Sequence, residues 1–173
     1  MGKQRRMSLI LIIALLAAAA LPAVGGAAAP PRTPAQVNVA GSFEESIGGG
    51  NWSNNDSLTD MGDANGDGVW KFNATLPTAG AYEYKIVENA DWGMSYPADN
   101  VPFTVADGEE VGWLYDENDH YVSDTTRHVV ATVVGDWPEA IGGVNWAPDN
   151  LKTWMKDLDG DGIYTFSAMI PEG

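Results

Sequence analysis

Apolar and polar residues alternate in short runs along most of this chain. Trp70, Phe72, Ala74 and Leu76 alternate with Lys71, Asn73 and Thr75, and Tyr82, Tyr84 and Ile86 alternate with Glu83, Lys85 and Val87. Tyr164, Phe166, Ala168 and Ile170 repeat the rhythm near the end. A period of two, interrupted by Gly, Pro, Asn and Asp, predicts antiparallel strands with one buried face. Val37–Phe43, Val101–Val105, Val111–Tyr115 and Val129–Gly135 are further predicted strands. No amphipathic helical stretch follows the first thirty residues. Strand spacing and size predict an all-β fold of immunoglobulin-like sandwich type. Thr78-Ala-Gly80 reads as the turn of a hairpin. Trp70 and Trp113 fall in phase with apolar strand faces and are expected in the core.

The pattern is duplicated. Residues 39–77 return at 133–171, shifted by 94 positions without a gap. Gly48, Gly49, Asn51, Trp52, Asp63 and Asp67 recur as Gly142, Gly143, Asn145, Trp146, Asp157 and Asp161. A fixed offset of this length indicates two copies of a small domain in tandem. Module one is expected over 36–124, with Ser123–Arg127 as a polar joint. Module two, over 125–173, has counterparts of only the first half of module one. It is expected to be an incomplete sandwich at the front of a longer polypeptide.

The start of the chain has a different character. Lys3, Arg5 and Arg6 precede an apolar run to Leu21, and small residues follow to Ala29. This order predicts a secretory signal over 1–29, and Pro30, Pro31 and Pro34 a stiff linker over 30–35. An uncleaved anchor is the rival reading, although the apolar run is short for a membrane span. The expected location is therefore extracellular. The absence of Cys fits an exported domain large enough to bury a core without disulfides. The formal net charge is −15. A surface this acidic repels nucleic acid and anionic lipid and suits a neutral partner.

Particular residues carry a resemblance. Module one reads Val39-Ala-Gly-Ser-Phe43, Gly48-Gly-Gly-Asn-Trp52, Gly80-Ala-Tyr-Glu-Tyr-Lys85, Asn89-Ala-Asp-Trp92 with Tyr96, Pro102-Phe-Thr-Val105, and Tyr115-Asp116 with His120. It resembles the tandem β-sandwich modules beside the catalytic domains of pullulanases and related amylases. The Asn-Trp, Tyr-Lys and Asp-Trp pieces are also similar to family 20 starch-binding domains. That similarity implies that Trp52 and Trp92 stack on glucose rings and that Lys85 bonds sugar hydroxyls. In module two it reaches only Trp146. The implied partner is an α-glucan polysaccharide, with a catalytic domain downstream in the same polypeptide.

The residues themselves leave alternatives. Flat aromatics pack on sugar C–H faces while polar groups meet hydroxyls. A tryptophan in a loop can equally fold back as a lid over the sandwich, and Lys85 can simply be solvated. Asp63, Asn65 and Asp67, like Asp157, Asp159 and Asp161, resemble the first half of a calcium loop. The acidic residue an EF-hand needs eleven places on is Ala74 or Ala168, so the other reading is an Asp-Gly turn. No cofactor is expected, with calcium at these loops as the alternative. No catalytic residue is expected either: His120 and His128 lie outside any Ser or Cys motif, and His120 reads as a turn residue. The expected function is non-catalytic association with starch, and the alternative is a spacer without a ligand.

Overall fold

Eight strands form within residues 33–171, which the computed structural model describes. The expected leader and the first part of the linker lie outside these residues. The strands are β1 (Val37–Gly41), β2 (Val69–Leu76), β3 (Gly80–Glu88), β4 (Ser95–Val105), β5 (Glu109–Asp116), β6 (Tyr121–Asp124), β7 (Ala131–Thr132) and β8 (Trp154–Met155). All pairing is antiparallel. One sheet has the order β1-β3-β4, a second β2-β5-β6, and β7 pairs with β8. The expected all-β sandwich is present.

The core lies between the two three-stranded sheets of module one. Tyr84 and Ile86 of β3 meet Phe103 of β4 on one side, and Leu76, Val111 and Trp113 come from the other. Trp113 is fully buried. Its ring stacks on Phe43 at 4.7 Å and on Phe72 at 5.5 Å, and meets Tyr84 and Phe103 edge-on. Trp70, expected in the core, is only half-buried. It packs at the margin of the cluster, where its indole N–H reaches the Glu117 carboxylate at 2.8 Å. An amphipathic indole can place its ring against the core and its N–H at the wet edge.

Two further expectations are corrected. Thr78–Gly80 is not a hairpin turn: β2 pairs with β5, whereas β3 pairs with β1 and β4. The segment crosses from one sheet to the other. Tyr164–Ile170 is not a strand; it retains a single bridge, Lys156 to Thr165. Its counterpart β2 has β5 as a ladder partner along its full length, from Val69↔Asp116 to Leu76↔Glu109. Among the described residues module two has no such partner, and a lone strand leaves its backbone groups to water. For the same reason the Val129–Gly135 run shortens to β7.

The joint between the modules is firmly built. Asp124, fully buried, accepts from the Tyr84 hydroxyl at 3.0 Å and from Arg127 Nε at 2.6 Å. Beyond it, residues 149–157 lie against the second sheet. Leu151 and Trp154 pack on Val69 and Leu114, with Tyr121 beside them. Asp67 accepts the Leu151 N–H at 2.6 Å. Lys156 Nζ lies 2.6 Å from both Asp116 and Asp119.

Burial alone would raise the Asp116 carboxyl's pKa, but Lys156 and the Asn118 donors outweigh it and hold the group below its ordinary value. A depressed folded-state pKa adds stability above the unfolded pKa and loses it as pH falls through the folded one. Lys156→Met should therefore cost about 1.5–3 kcal/mol at neutral pH, where a largely buried carboxylate loses its charged donor. The cost should fade at acid pH, once pH falls through the depressed folded-state pKa of Asp116 and the carboxyl is protonated in either protein. Urea melts of both proteins at the two pH values check this, and an equal deficit at both would refute the ion-pair account.

Candidate functional site

The loop after β1 is shaped by side chains that bond backbone. Phe43 leads into a 3-10 turn, Glu44–Ile47, closed by Gly48 at φ 94°. Glu44 is fully buried, and its Oε2 accepts from Gly41 N at 2.9 Å and Ser53 N at 3.0 Å. Burial pushes its carboxyl pKa up, against the pull of these N–H donors. Asn51 Oδ1 accepts the Glu45 N–H at 2.9 Å. The chain then turns so that Trp52 N–H reaches the Gly41 carbonyl at 3.0 Å, with Trp52 at φ 60°. A bulky residue at positive φ is strained and must be held by its surroundings. Asn51 and the Gly41 carbonyl are the groups that hold it.

Module two repeats the arrangement. Asn145 Oδ1 accepts from Glu139 N at 3.1 Å, Trp146 N–H reaches the Gly135 carbonyl at 2.9 Å, and Trp146 has φ 57°. Two copies of one strained elbow, each ending in an exposed or half-exposed indole, mark it as a property of the repeat. Trp146 is 68% exposed, whereas Trp52 is half-buried.

Trp92 comes from the other end of β3. Asn89 and Ala90 both adopt positive φ, and Asp91 then caps the short 3-10 turn Trp92–Met94 by accepting from Gly93 N. This leaves Trp92 45% exposed. Asn54, two residues after Trp52, donates its side-chain amide to the Ala90 carbonyl at 2.7 Å. One hydrogen bond thus ties the Trp52 loop to the Trp92 loop. Asn54 was not legible as a site residue, because its partner lies 36 positions away.

Lys85 sits in β3 where the register with β4 shifts between Tyr84 and Ile86. It pairs across β1 with Ala40, next to the Gly41 that receives Trp52 N–H. Its ammonium donates to the Ala98 carbonyl of β4. Trp52 and Lys85 both border β1, the Trp92 loop is tied to the Trp52 loop through Asn54, and Trp146 belongs to the second copy.

A second aromatic group lies nearby in sequence. The Tyr115 hydroxyl donates to the Glu88 carboxylate and meets His120 Nδ1, and Tyr96 stacks flat on His120 at 4.0 Å. Burial first, then the Glu88 carboxylate, pushes the Tyr115 hydroxyl far above its ordinary pKa, so it remains a donor. His120 does occupy a turn, at φ 59°. The Asp loops are Asp-Gly turns: Asp63 accepts from Asp67 N and Gly68 N, and Asp157 from Gly160 N and Gly162 N.

Residues 36–122 match the family described as the Pullulanase X25 domain. The chain belongs to that family. The X25 chain is 31% identical to an amylopullulanase of Thermoanaerobacterium thermosulfurigenes over 149 residues, 79% of this chain and 8% of the relative. It is also 31% identical to the amylopullulanase of Thermoanaerobacter thermohydrosulfuricus, over 81% of this chain and 10% of the relative. Among solved structures, the pullulanase from Bacillus acidopullulyticus aligns with a TM-score of 0.50 and 34% identity, over 54% of this chain and 12% of that one. The X25 chain thus spans about a tenth of the length of the relatives it matches. The resemblance to pullulanase-associated modules holds.

Proposed function

We propose that this chain is a non-catalytic, starch-associating accessory module of an exported amylopullulanase-type enzyme. Membership of the X25 family and the small share of each relative support the accessory role. The charged, apolar and small-residue order of residues 1–29 supports export. The observation that carries glucan association is the Asn54–Ala90 tie, which holds the Trp52 and Trp92 loops together with Trp92 open to solvent. Indole rings and a lysine ammonium offer flat apolar surface and a donor, the pair of features a sugar chain needs. By the likeness to family 20 domains, Trp52 and Trp92 stack on glucose and Lys85 bonds hydroxyls. Held beside a tethered catalytic domain, even a weak site raises the local concentration of substrate.

One observation favours a spacer instead: the Lys85 ammonium is already engaged by the Ala98 carbonyl. Co-sedimentation with insoluble starch separates the two readings. The chain should be depleted from solution by starch and not by cellulose, to the same extent at 50 mM and 500 mM salt, because the ligand is neutral. No depletion at any starch loading would leave the spacer.

A further inference from the structure

Strand β4 leaves its ladder opposite Lys85. Tyr84 pairs with Val101 and Ile86 with Tyr96, so Pro97–Asn100 stand opposite Lys85 alone. All of these bulge residues are exposed. Extra residues in one strand bend it and re-aim its side chains. Here the bulge folds back on β3 through two bonds. The Ala98 carbonyl accepts from the Lys85 ammonium, and Asn100 Nδ2 donates to Glu83 Oε2 at 3.0 Å. Glu83 and Lys85 lie two positions apart on β3, so both point away from the core that Tyr84 and Ile86 enter. Glu83 also stays beside the Trp52 elbow. Its carbonyl accepts from Ser42 N and its N–H donates to Ser42 Oγ, both at 3.0 Å, and Ser42 follows the Gly41 whose carbonyl receives Trp52 N–H.

The bulge keeps two opposite charges apart. Among the described residues no ion pair joins Lys85 to Glu83, since an uncharged carbonyl takes the ammonium and an uncharged amide takes the carboxylate. Hydrogen bonds between exposed groups exchange readily with a ligand, because the net gain from each is small. One acceptor and two donors on one sheet face fit a neutral ligand with adjacent hydroxyls. The carboxylate accepts from a hydroxyl, and the amide and ammonium donate to hydroxyl oxygens. In a 1,4-linked glucan the linkages use O1 and O4 and the ring uses O5, so the adjacent free pair is 2-OH and 3-OH. We propose that Glu83 and Asn100 are specificity-determining residues of the glucan site, binding the 2-OH and 3-OH of one glucose unit beside Lys85. This rests on the glucan reading above and adds which face of the sugar is read. A site built to bond particular hydroxyls rejects a ligand in which they are blocked.

The test titrates the whole chain, by tryptophan fluorescence, with β-cyclodextrin and with its derivatives methylated on O2 and O3 or on O6 alone. Methylation of O2 and O3 should weaken binding by more than about tenfold, and methylation of O6 by less than about threefold. Glu83→Ala and Asn100→Ala should each weaken binding of β-cyclodextrin by about fivefold or more and remove the discrimination between the two derivatives. Asp99→Ala, which takes a charge from the same bulge and cuts neither bond, should change nothing. All three residues are exposed, and a melt of each variant checks the fold; should Glu83→Ala melt early, Asn100→Ala decides. Parent affinity and discrimination retained in Glu83→Ala and Asn100→Ala would overturn the proposal and leave the glucan reading standing. Equal weakening by the two methylations, or an equal loss in Asp99→Ala, would overturn it as well. No binding of β-cyclodextrin or starch by the parent chain would overturn the glucan reading and this proposal together.

Discussion

Trp113→Ala should abolish cooperative folding of module one. The indole is fully buried and touches both sheets, stacking on Phe43 and Phe72 and meeting Tyr84 and Phe103 edge-on. Truncation of a buried Trp costs about 3–5 kcal/mol, which approaches the whole stability of a small domain, about 5–15 kcal/mol. Trp113→Phe should be far milder. It keeps an aromatic face in the stack and removes an indole N–H that is buried without a partner. Trp70→Ala should fall between the two, because Trp70 is half-buried at the margin and loses one hydrogen bond to Glu117. Circular dichroism melts of the three variants order them. If Trp70→Ala proved worse than Trp113→Ala, the core would be centred elsewhere than between the sheets.

That ordering shows where the sequence was informative. Alternation along β2 and β3 follows from the two faces of a strand, so Leu76, Tyr84 and Ile86 could be assigned to the core by phase. Phase does not say which sheet a strand joins. Thr78–Gly80 has hairpin composition, yet it crosses between sheets, because the pairing of β2 with β5 is set by residues more than 30 positions away. Nor does phase guarantee a strand. Tyr164–Ile170 alternates as β2 does, but without a ladder its backbone has no partners.

The candidate site was legible in part for similar reasons. Gly-rich segments correctly place Trp52 and Trp146 in loops. A reader of Gly48–Gly50 would assign the left-handed conformation to glycine, whereas Trp52 also takes it, and only the Asn51 and Gly41 bonds explain how. The contact of Asn54 with Ala90 and the Lys156 clamp on Asp116 link residues far apart in sequence, and they leave no local signature.

Trp92→Ala and Trp52→Ala should each weaken binding of maltoheptaose by more than tenfold while the module still melts cooperatively. A shallow platform of two indoles buries little area, so the parent affinity should be modest, with a dissociation constant on the order of 10 µM to 1 mM. In such a site one stacking ring supplies a large share of the binding energy, and its loss costs about 1–3 kcal/mol when it anchors the ligand. Trp92, at 45% exposure in a 3-10 turn, can be removed without opening the core. Trp52 is half-buried, so its variant should lose some stability, but much less than Trp113→Ala. Trp146→Ala should change the affinity less than threefold, because Trp146 belongs to the second copy, which lacks counterparts of Lys85 and Trp92. Asn54→Ala provides a further check: it leaves both rings in place but cuts the bond between their loops, so it should weaken binding without deleting any ring that stacks on sugar. Titration followed by tryptophan fluorescence, with a melt of each variant, separates these outcomes. If Trp52→Ala and Trp92→Ala unfold the module as Trp113→Ala does, the two rings are lids over the sandwich and the glucan site does not exist there.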